Sequence, residues 1–336
     1  MRSPLYLLEQ GSKLTRDGRR LLVTLGDEKL ADVAVIQVSQ VILFGNVQVT
    51  TQALQLLLDA GVEVVLLSTH GRFYGRLVGG PTGHGSLRMA QMLRARDPEW
   101  ALHTAQRCVR GKIQNGKVFL QRYARRAAEP AALDSAIAAI EAMRERVART
   151  TTIPSLLGVE GQASAAYFGV WKALLKPPWR FDKRVRRPPT DPVNIMLSFG
   201  YTLLVQNVLT AVLTTGMEPY VGFLHQVGYN KPSLALDLAE EFRPMVVDSV
   251  VMRCCNNDLL DPGHFVAGDD EYPLVMTPEG RKIFIRELET RFTQEFKHPE
   301  TQESVSYRRL FLLQAYRMAA AIGEVNAEPY RPFLIR

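Results

Sequence analysis

The sequence predicts an α+β protein in which a small N-terminal β-rich domain is followed by a larger all-α domain. Up to about residue 78, short apolar runs have the two-residue period of half-buried strands. From Leu87 onward, apolar residues recur with the 3.6-residue period of helices. Between the two patterns lies GGPTGHGS, whose four glycines and one proline indicate a domain boundary. We therefore expect domains at 1–78 and 87–336, joined by a linker at 79–86.

The composition is that of a globular chain with a mild excess of positive charge. Its 336 residues are 46% hydrophobic and 22% charged, and the formal net charge is +7. This charge favours a polyanionic partner, but it fits a mildly basic enzyme of no special affinity equally well. The three cysteines, two of them adjacent at Cys254 and Cys255, indicate neither a disulfide framework nor a zinc site. We expect a cytoplasmic protein.

Two apolar stretches bear on membrane association. The N-terminal stretch LYLL is too short for a signal peptide. The longest apolar stretch, residues 195–213, is interrupted by Ser198, Thr202 and Gln206. We therefore expect it to form a buried helix rather than a membrane span.

The β-rich region predicts strands separated by turns, with one helix among them. The strand candidates are LYLLEQ, LLVTL, VAVIQVSQVILFG, VQVT, VEVVLLS and RFYGRLVG. Residues 16–19, RDGR, contain the Asp-Gly pair of a hairpin turn. The helix is predicted over TQALQLLLDA, with Thr50 or Thr51 as N-cap and Gly61 after its end.

The first helices of the larger domain are predicted at 87–96, 99–126 and 131–150. A fourth helix is predicted to begin near Glu160, within LLGVEGQASAAYFGVWKALL. Gly158 and Gly161 flank this glutamate, and such small neighbours let another backbone or a ligand approach the carboxylate. A glutamate at a helix start can equally be a structural residue that favours the helix dipole.

A basic loop follows, with the sequence KPPWRFDKRVRR. In this proline-rich context the side chains can reach a phosphate backbone, although a solvated loop without a partner is an equally good interpretation. Its DNA-binding candidates are the six basic residues Lys176, Arg180, Lys183, Arg184, Arg186 and Arg187.

The stretch FLHQVGYNKPSLALDLAEEFRPMVVD combines a histidine, His225, with an acidic helix. Ser233 is predicted to cap this helix, and Arg243-Pro244 to end it. Asp237 lies three and four residues before Glu240 and Glu241, so these carboxylates are neighbours that repel one another. A cation would relieve the repulsion, and imidazole with carboxylates suits Mn²⁺ or Mg²⁺. An ordinary helix with an acidic outer face is the alternative.

Downstream of this stretch, a second histidine is a weaker candidate for metal binding. His264 lies near Asp258 and Asp261 in the turn-rich loop NNDLLDPGHF, which seldom organises a metal site. Helices are then predicted from Thr277-Pro278, where cap, proline and acid stand in order, and over residues 307–322.

Taken together, the motifs resemble the CRISPR-associated integrase–endonuclease family of the spacer-acquisition machinery, known as "Cas one". The resemblance covers nearly the whole chain. Its pieces are VILFGNVQVTTQALQLLLDAGVEVVLLS, LLGVEGQASAAYF, DPVNIMLSFGYTLL, GFLHQVGYNKPSLALDLAEEFRPMVVD and MTPEGRK, in this order. Any one piece alone is a weak signal, but the ordered combination is highly specific.

The resemblance implies a divalent metal, Mn²⁺ or Mg²⁺, bound by Glu160, His225 and Glu240. Asp237 matches a further acidic position, where it would hold the ligands or contact DNA. Glu241 inherits no role and is expected to be a surface acid or a partner for Arg243.

The resemblance further implies a metal-dependent DNA strand transferase and endonuclease that inserts foreign DNA fragments beside a CRISPR repeat. Its partners would be double-stranded DNA, a second copy of the chain bound through the β-rich domain, and the small "Cas two" protein. Two other readings stay open on the residues alone. The acids can be structural in a non-enzymatic DNA-binding scaffold, or the site can hydrolyse a small phosphoester.

Overall fold

A computed structural model describes residues 2–79, 84–124, 130–323 and 328–335. The chain divides into two compact units, residues 1–82 and 83–336. The division falls within the predicted linker 79–86, of which residues 80–83 lie outside the described part of the chain. Gly85 and Ser86, assigned to the linker from sequence, form the first turn of a helix instead.

The N-terminal unit contains two four-stranded sheets and one helix, α1 (Thr51–Asp59). Its strands are β1 (Ser3–Leu7), β2 (Lys13–Asp17), β3 (Arg20–Leu25), β4 (Glu28–Ala34), β5 (Val38–Phe44), β6 (Gln48–Val49), β7 (Glu63–Leu67) and β8 (Phe73–Leu77). The first sheet has the order β1–β5–β7–β8, and the second has the order β4–β3–β2–β6.

Local sequence signals account for most of this unit. Strands β2 and β3 form the predicted hairpin, and Gly18 in its turn has a φ of +56°, which glycine adopts without strain. Thr50 caps α1 by accepting a hydrogen bond from the backbone N–H of Ala53. The run VAVIQVSQVILFG, predicted as one strand, is divided between β4 and β5 by a 3₁₀ turn at Val35–Gln37.

The core of the N-terminal unit is shared by both sheets and α1. Leu14 and Leu21 from the second sheet, Val41 and Val64 from the first, and Leu57 from α1 are all fully buried in one cluster. Neither sheet could bury its apolar face alone, so the unit folds as one body.

The C-terminal unit is helical, with two short antiparallel ribbons. Its helices are α2 (Gly85–Arg96), α3 (Pro98–Ala124), α4 (Pro130–Val147), α5 (Ile153–Gly169), α6 (Trp171–Leu174), α7 (Pro192–Thr214), α8 (Ser233–Ala239), α9 (Ser249–Asn256), α10 (Pro278–Thr293) and α11 (Tyr307–Gly323). The ribbons pair β9 (Phe265–Ala267) with β10 (Leu274–Met276), and β11 (Glu295–Lys297) with β12 (Ser304–Ser306). The predicted α+β class is thereby confirmed.

Helix α7 is the apolar helix that the sequence predicts to be buried. Among the described helices it alone is long and apolar enough to cross a membrane, but 83% of its most apolar window is buried inside the protein. Asp191 caps its first turn by accepting from the backbone N–H of Asn194 at 2.9 Å. The helix therefore serves as a core element of the unit.

The acidic helix departs from its predicted end. Rather than stopping at Arg243-Pro244, the chain continues from α8 through a 3₁₀ turn at Glu240–Phe242 and a π turn at Pro244–Asp248 into α9. Proline lacks an N–H and crowds the preceding turn, so a regular α-helix cannot pass through it. The change of helical type accommodates the proline, and single π turns of this kind are frequent at functional sites.

Candidate active site

The three residues expected to bind a metal converge in the C-terminal unit. Glu160 lies on α5, His225 in the loop before α8, and Glu240 at the start of the 3₁₀ turn. Nε2 of His225 lies 4.0 Å from Oε1 of Glu240. Both glutamates contact the same nitrogen, the ammonium of Lys112 on α3, which lies 2.7 Å from Oε2 of Glu240 and in direct contact with Oε1 of Glu160.

Glu240 is a buried carboxylate held in its ionised form by two cations, Lys112 and Arg243. Arg243 approaches Oε1 to 3.1 Å, on the side opposite Lys112. Burial raises the pKa of Glu240, but the positive charges of Arg243 and Lys112 outweigh burial and hold this pKa at about 2. The side chain is therefore a fixed negative charge at physiological pH.

Asp237 orients His225. Its carboxylate is fully buried and accepts four hydrogen bonds, from the backbone N–H groups of Phe223, Leu224 and His225 and from Nδ1 of His225 at 2.7 Å. Because a carboxylate only accepts, Nδ1 carries the proton and Nε2 presents its lone pair toward Glu240. Of the two roles expected for Asp237, the structure supports holding a ligand, because a side chain with no exposed surface cannot reach DNA.

The loop before α8 packs tightly around this carboxylate. A Cβ added to Gly222 would lie 2.7 Å from Oδ2 of Asp237 and 2.7 Å from the backbone carbon of Ser233. Ser233 does not cap α8 as predicted, because its hydroxyl donates to the carbonyl of Gln226 at 3.0 Å. The loop is thus closed onto the start of α8, which fixes the position of His225.

Glu160 lies in the middle of its helix, and the prediction that it begins a helix is wrong. Helix α5 starts about two turns earlier, where Thr152 caps it by accepting from the backbone N–H of Ser155. Within the described residues, nothing lies within 4 Å of a Cβ added at Gly158 or Gly161, so these glycines signal neither a boundary nor a close approach. Oε1 of Glu160 also accepts from the hydroxyl of Ser164 at 2.8 Å.

Glu241 was expected from the sequence to be a surface acid or a partner of Arg243, and it is neither. Its side chain is buried and accepts hydrogen bonds from Gln314, from the hydroxyl of Tyr330 at 3.0 Å and from the backbone N–H of Phe333. Burial raises the pKa of this carboxyl to about 8, although those three hydrogen bonds oppose the shift. Glu241 thus holds the C-terminal segment against the stretch that carries Glu240, and the acidic face of this stretch points inward.

A second polar cluster adjoins the site. Asp248 accepts hydrogen bonds from the hydroxyls of Tyr167 at 2.8 Å and Tyr201 at 2.6 Å. The guanidinium of Arg243 lies over the ring of Tyr201, 4.4 Å from its centroid. These side chains, together with Lys112, line a cavity of about 40 Å³.

Lys112, Arg243, Asp248 and the two tyrosines were not identified from the sequence. Lys112 is one of many basic residues on α3, and no local spacing connects it with glutamates that lie 48 and 128 positions further along the chain. The only available signal was the arginine three residues after Glu240, a spacing at which side chains of a helix are neighbours.

The donor set fits a hard divalent cation. Glu160 and Glu240 supply oxygens beside one point in space, and His225 supplies a free imidazole nitrogen whose ring is fixed through Asp237, a common arrangement around metal-binding histidines. Oε2 of Glu240 is buried and accepts no well-aligned hydrogen bond. Within the described residues, no three acidic, histidine or cysteine side chains are already clustered as a metal site. The ammonium of Lys112 lies between the two carboxylates instead.

The basic loop is held by hydrogen bonds between Lys176 and Asn256 and between Asn194 and residues 183–185, while most of its basic side chains are exposed. Asn194 donates to the carbonyl of Lys183 and accepts from the backbone N–H of Val185, each at 2.9 Å. The guanidinium of Arg184 donates to the side chains of Asn194 and Ser198, and the ammonium of Lys176 donates to the carbonyl of Asn256 at 2.7 Å. The exposed candidates are Lys176, Arg180, Lys183, Arg186 and Arg187. Their contact with DNA stays a prediction.

Known proteins match this chain closely in sequence and fold. The family model for the CRISPR-associated protein Cas1 matches residues 5–290. A CRISPR-associated endonuclease Cas1 of Thermus thermophilus is 36% identical over 334 residues, which cover 98% of this chain and 97% of that protein.

Two solved structures share the fold. A casposase bound to its integration product has a TM-score of 0.85 and 21% identity, and the match covers 100% of this chain and 95% of that one. The Cas1-containing chain of a Cas6–RT–Cas1–Cas2 complex also has a TM-score of 0.85, with 24% identity over 98% of this chain and 36% of that one. The family model, the extent of the sequence match and the fold agree, and the chain belongs to the CRISPR-associated Cas1 family.

Proposed function

We propose that this protein is a metal-dependent DNA strand transferase and endonuclease that inserts foreign DNA fragments into a CRISPR array. The observation that carries the proposal is that Glu160 and Glu240, from separate parts of the chain, both contact the ammonium of Lys112, while Nε2 of His225 lies 4.0 Å from Oε1 of Glu240. Membership of the Cas1 family and the casposase fold support a role in DNA integration.

The site is suited to phosphodiester chemistry. Glu160, His225 and Glu240 would hold Mn²⁺ or Mg²⁺, which would neutralise charge on a phosphate and assist the attacking or leaving oxygen. Asp237 keeps the imidazole of His225 turned toward the site, and Arg243 holds Glu240 in place from the other side. If the nucleophile is a DNA 3′-hydroxyl, the product is a joined strand, and if it is water, the product is a nick.

The exposed part of the basic loop supports DNA binding. Lys176, Arg180, Lys183, Arg186 and Arg187 present positive charge to solvent, while the aromatic side chains of the loop are buried and fix its backbone. Lysine and arginine contacts to phosphate give affinity without base recognition. We therefore infer that the loop binds the backbone of double-stranded DNA.

The assembly is proposed to contain two copies of the chain and the small Cas2 partner. Insertion at two repeat ends requires two active sites, and the matching structure of the Cas6–RT–Cas1–Cas2 complex contains Cas2. The β-rich unit exposes large apolar side chains, among them Ile36 and Tyr74 at 68% and 67%, which suit a dimer contact. The three cysteines are all buried and free, which agrees with the reducing cytoplasm as the site of action.

A strand-transfer assay tests the proposal. Labelled duplex ends and supercoiled repeat DNA are incubated with the protein in Mn²⁺, in Mg²⁺ and in chelator. We expect Glu160→Ala and His225→Ala to abolish joining while DNA binding survives. His264→Ala is the matched control, because His264 lies in a loop remote in sequence, with Nδ1 accepting from the backbone of Asp261. Full activity of both site variants, or joining in chelator, would show that the acids are structural.

A further inference from the structure

Lys112 occupies the space that the two glutamates share. Its ammonium contacts Oε1 of Glu160 and lies 2.7 Å from Oε2 of Glu240, and all three side chains are at least four-fifths buried. Two carboxylates brought this close in a region shielded from water repel each other strongly unless a cation lies between them. Lys112 supplies that cation from the protein itself.

The two oxygens that contact Lys112 are also the ones that would be available to a metal. Oε1 of Glu240 faces Arg243 at 3.1 Å and Nε2 of His225 at 4.0 Å, so Oε2 is the oxygen directed at Lys112. Glu160 meets Lys112 through Oε1. A divalent cation bridging the two carboxylates beside His225 would compete with the ammonium for these oxygens, and the two positive charges would repel at contact distance.

We propose that Lys112 is an internal counter-cation that keeps the metal site formed while no metal is bound and leaves the carboxylates when a divalent cation enters. This inference rests on the proposed function, because it assumes that Glu160 and Glu240 bind a metal. Lysine has a flexible four-carbon stem, so its ammonium can move without a shift of the α3 backbone.

Two measurable consequences follow. Without Lys112 the metal-free protein loses stability, because the carboxylates of Glu160 and Glu240 then repel each other and Arg243 contacts only Glu240. Metal binding becomes tighter, because no contact between lysine and carboxylate has to be broken. A hydrogen bond to a charged group is worth enough that its loss changes an equilibrium by about tenfold or more.

The experiment compares Lys112→Met with Lys117→Met in the full-length protein. Lys117 is a matched control, because it lies on the same helix, is equally buried and pairs with Glu141 at 2.8 Å, away from the site. Mn²⁺ affinity is measured by calorimetry, and melting temperature is measured in chelator and in excess Mn²⁺. We expect Lys112→Met to bind Mn²⁺ about tenfold more tightly than the natural protein and to gain more thermal stability from it. Lys117→Met should leave the affinity unchanged.

A second variant, Lys112→Arg, serves if Lys112→Met does not fold without metal, because arginine keeps the positive charge between the two glutamates. Arginine pairs with carboxylates through two parallel hydrogen bonds, so it should be harder to displace and should weaken Mn²⁺ binding. Equal or weaker binding by Lys112→Met, or unchanged binding by Lys112→Arg, overturns the role of Lys112 while leaving the metal site intact. Absence of Mn²⁺ binding in the natural protein and in all variants overturns the proposed function as well.

Discussion

Replacing Asp237 with asparagine tests whether one buried carboxylate organises the site. The carboxylate accepts two hydrogen bonds at each oxygen, three from backbone N–H groups and one from Nδ1 of His225. Asparagine has one acceptor oxygen, so two of these donors would face the NH₂ group. Each hydrogen bond to a charged group is worth about 1.5–3 kcal/mol, so we expect the free energy of unfolding to fall by about 3–6 kcal/mol.

The assay follows tryptophan fluorescence during denaturant unfolding. All three tryptophans, Trp100, Trp171 and Trp179, lie in the C-terminal unit, so the signal reports that unit alone. Trp100 also packs edge-on against Phe223, with ring centroids 4.9 Å apart, and therefore senses the loop that Asp237 holds.

The matched control for Asp237→Asn is Asp261→Asn. Asp261 accepts from the backbone N–H of Gly263 in the same unit, but its side chain is 68% exposed and asparagine can serve equally well at such a turn. We expect this control to change stability by less than about 1 kcal/mol. If Asp237→Asn were as stable as Asp261→Asn and retained strand transfer, the idea that Asp237 builds the histidine loop would be refuted.

Two further predictions concern Glu241 and the basic loop. An unfolded glutamate titrates near 4.5 and buried Glu241 near 8, so the folded state binds more protons between these pH values and stability falls as pH rises through this window. Glutamine does not titrate, so the free energy of unfolding of Glu241→Gln should rise relative to that of the natural protein by roughly 1.4 kcal/mol for each pH unit in this window. The measurement is denaturant unfolding of both proteins at pH 5, 6.5 and 8. If the stabilities of the two proteins changed in parallel with pH, the raised pKa of Glu241 would be contradicted. Reversing charge with Arg186→Glu and Arg187→Glu should weaken binding to any duplex and lower the slope of affinity against salt by about 2, measured by fluorescence anisotropy. An unchanged slope would remove these arginines from the DNA surface.

Features determined by neighbouring residues could be predicted from the sequence. The hairpin at Gly18, the cap at Thr50 and the buried helix α7 each depend on a few adjacent side chains, and each was confirmed. The helix beginning at Pro278 was likewise predicted correctly from its cap. The helix ends at Thr293, and the strand β11 follows it.

Features determined by distant residues could not be predicted. The acidic side chains of this stretch face inward because α3, α11 and the C-terminal segment pack over them. These elements are far from the stretch in the sequence. Asn115 on α3, for example, donates to the carbonyls of both Glu241 and Phe333. Leu234, Leu238 and Phe242 recur every four residues and form one buried face, but this spacing could not show that the acidic face opposite is buried as well.

Three acids within five residues illustrate how burial assigns different chemistry to one residue type. Asp237 is fully satisfied by hydrogen bonds and holds a histidine, while Glu240 stays ionised between two cations, Lys112 and Arg243. Glu241, one position further, is surrounded by neutral donors and keeps its proton at neutral pH. The difference between the last two arises because a 3₁₀ turn directs them to opposite sides, one toward Lys112 and the other toward Tyr330. The charged partners Arg243 and Lys112 keep Glu240 ionised, whereas the neutral partners Gln314, Tyr330 and Phe333 leave burial to dominate at Glu241.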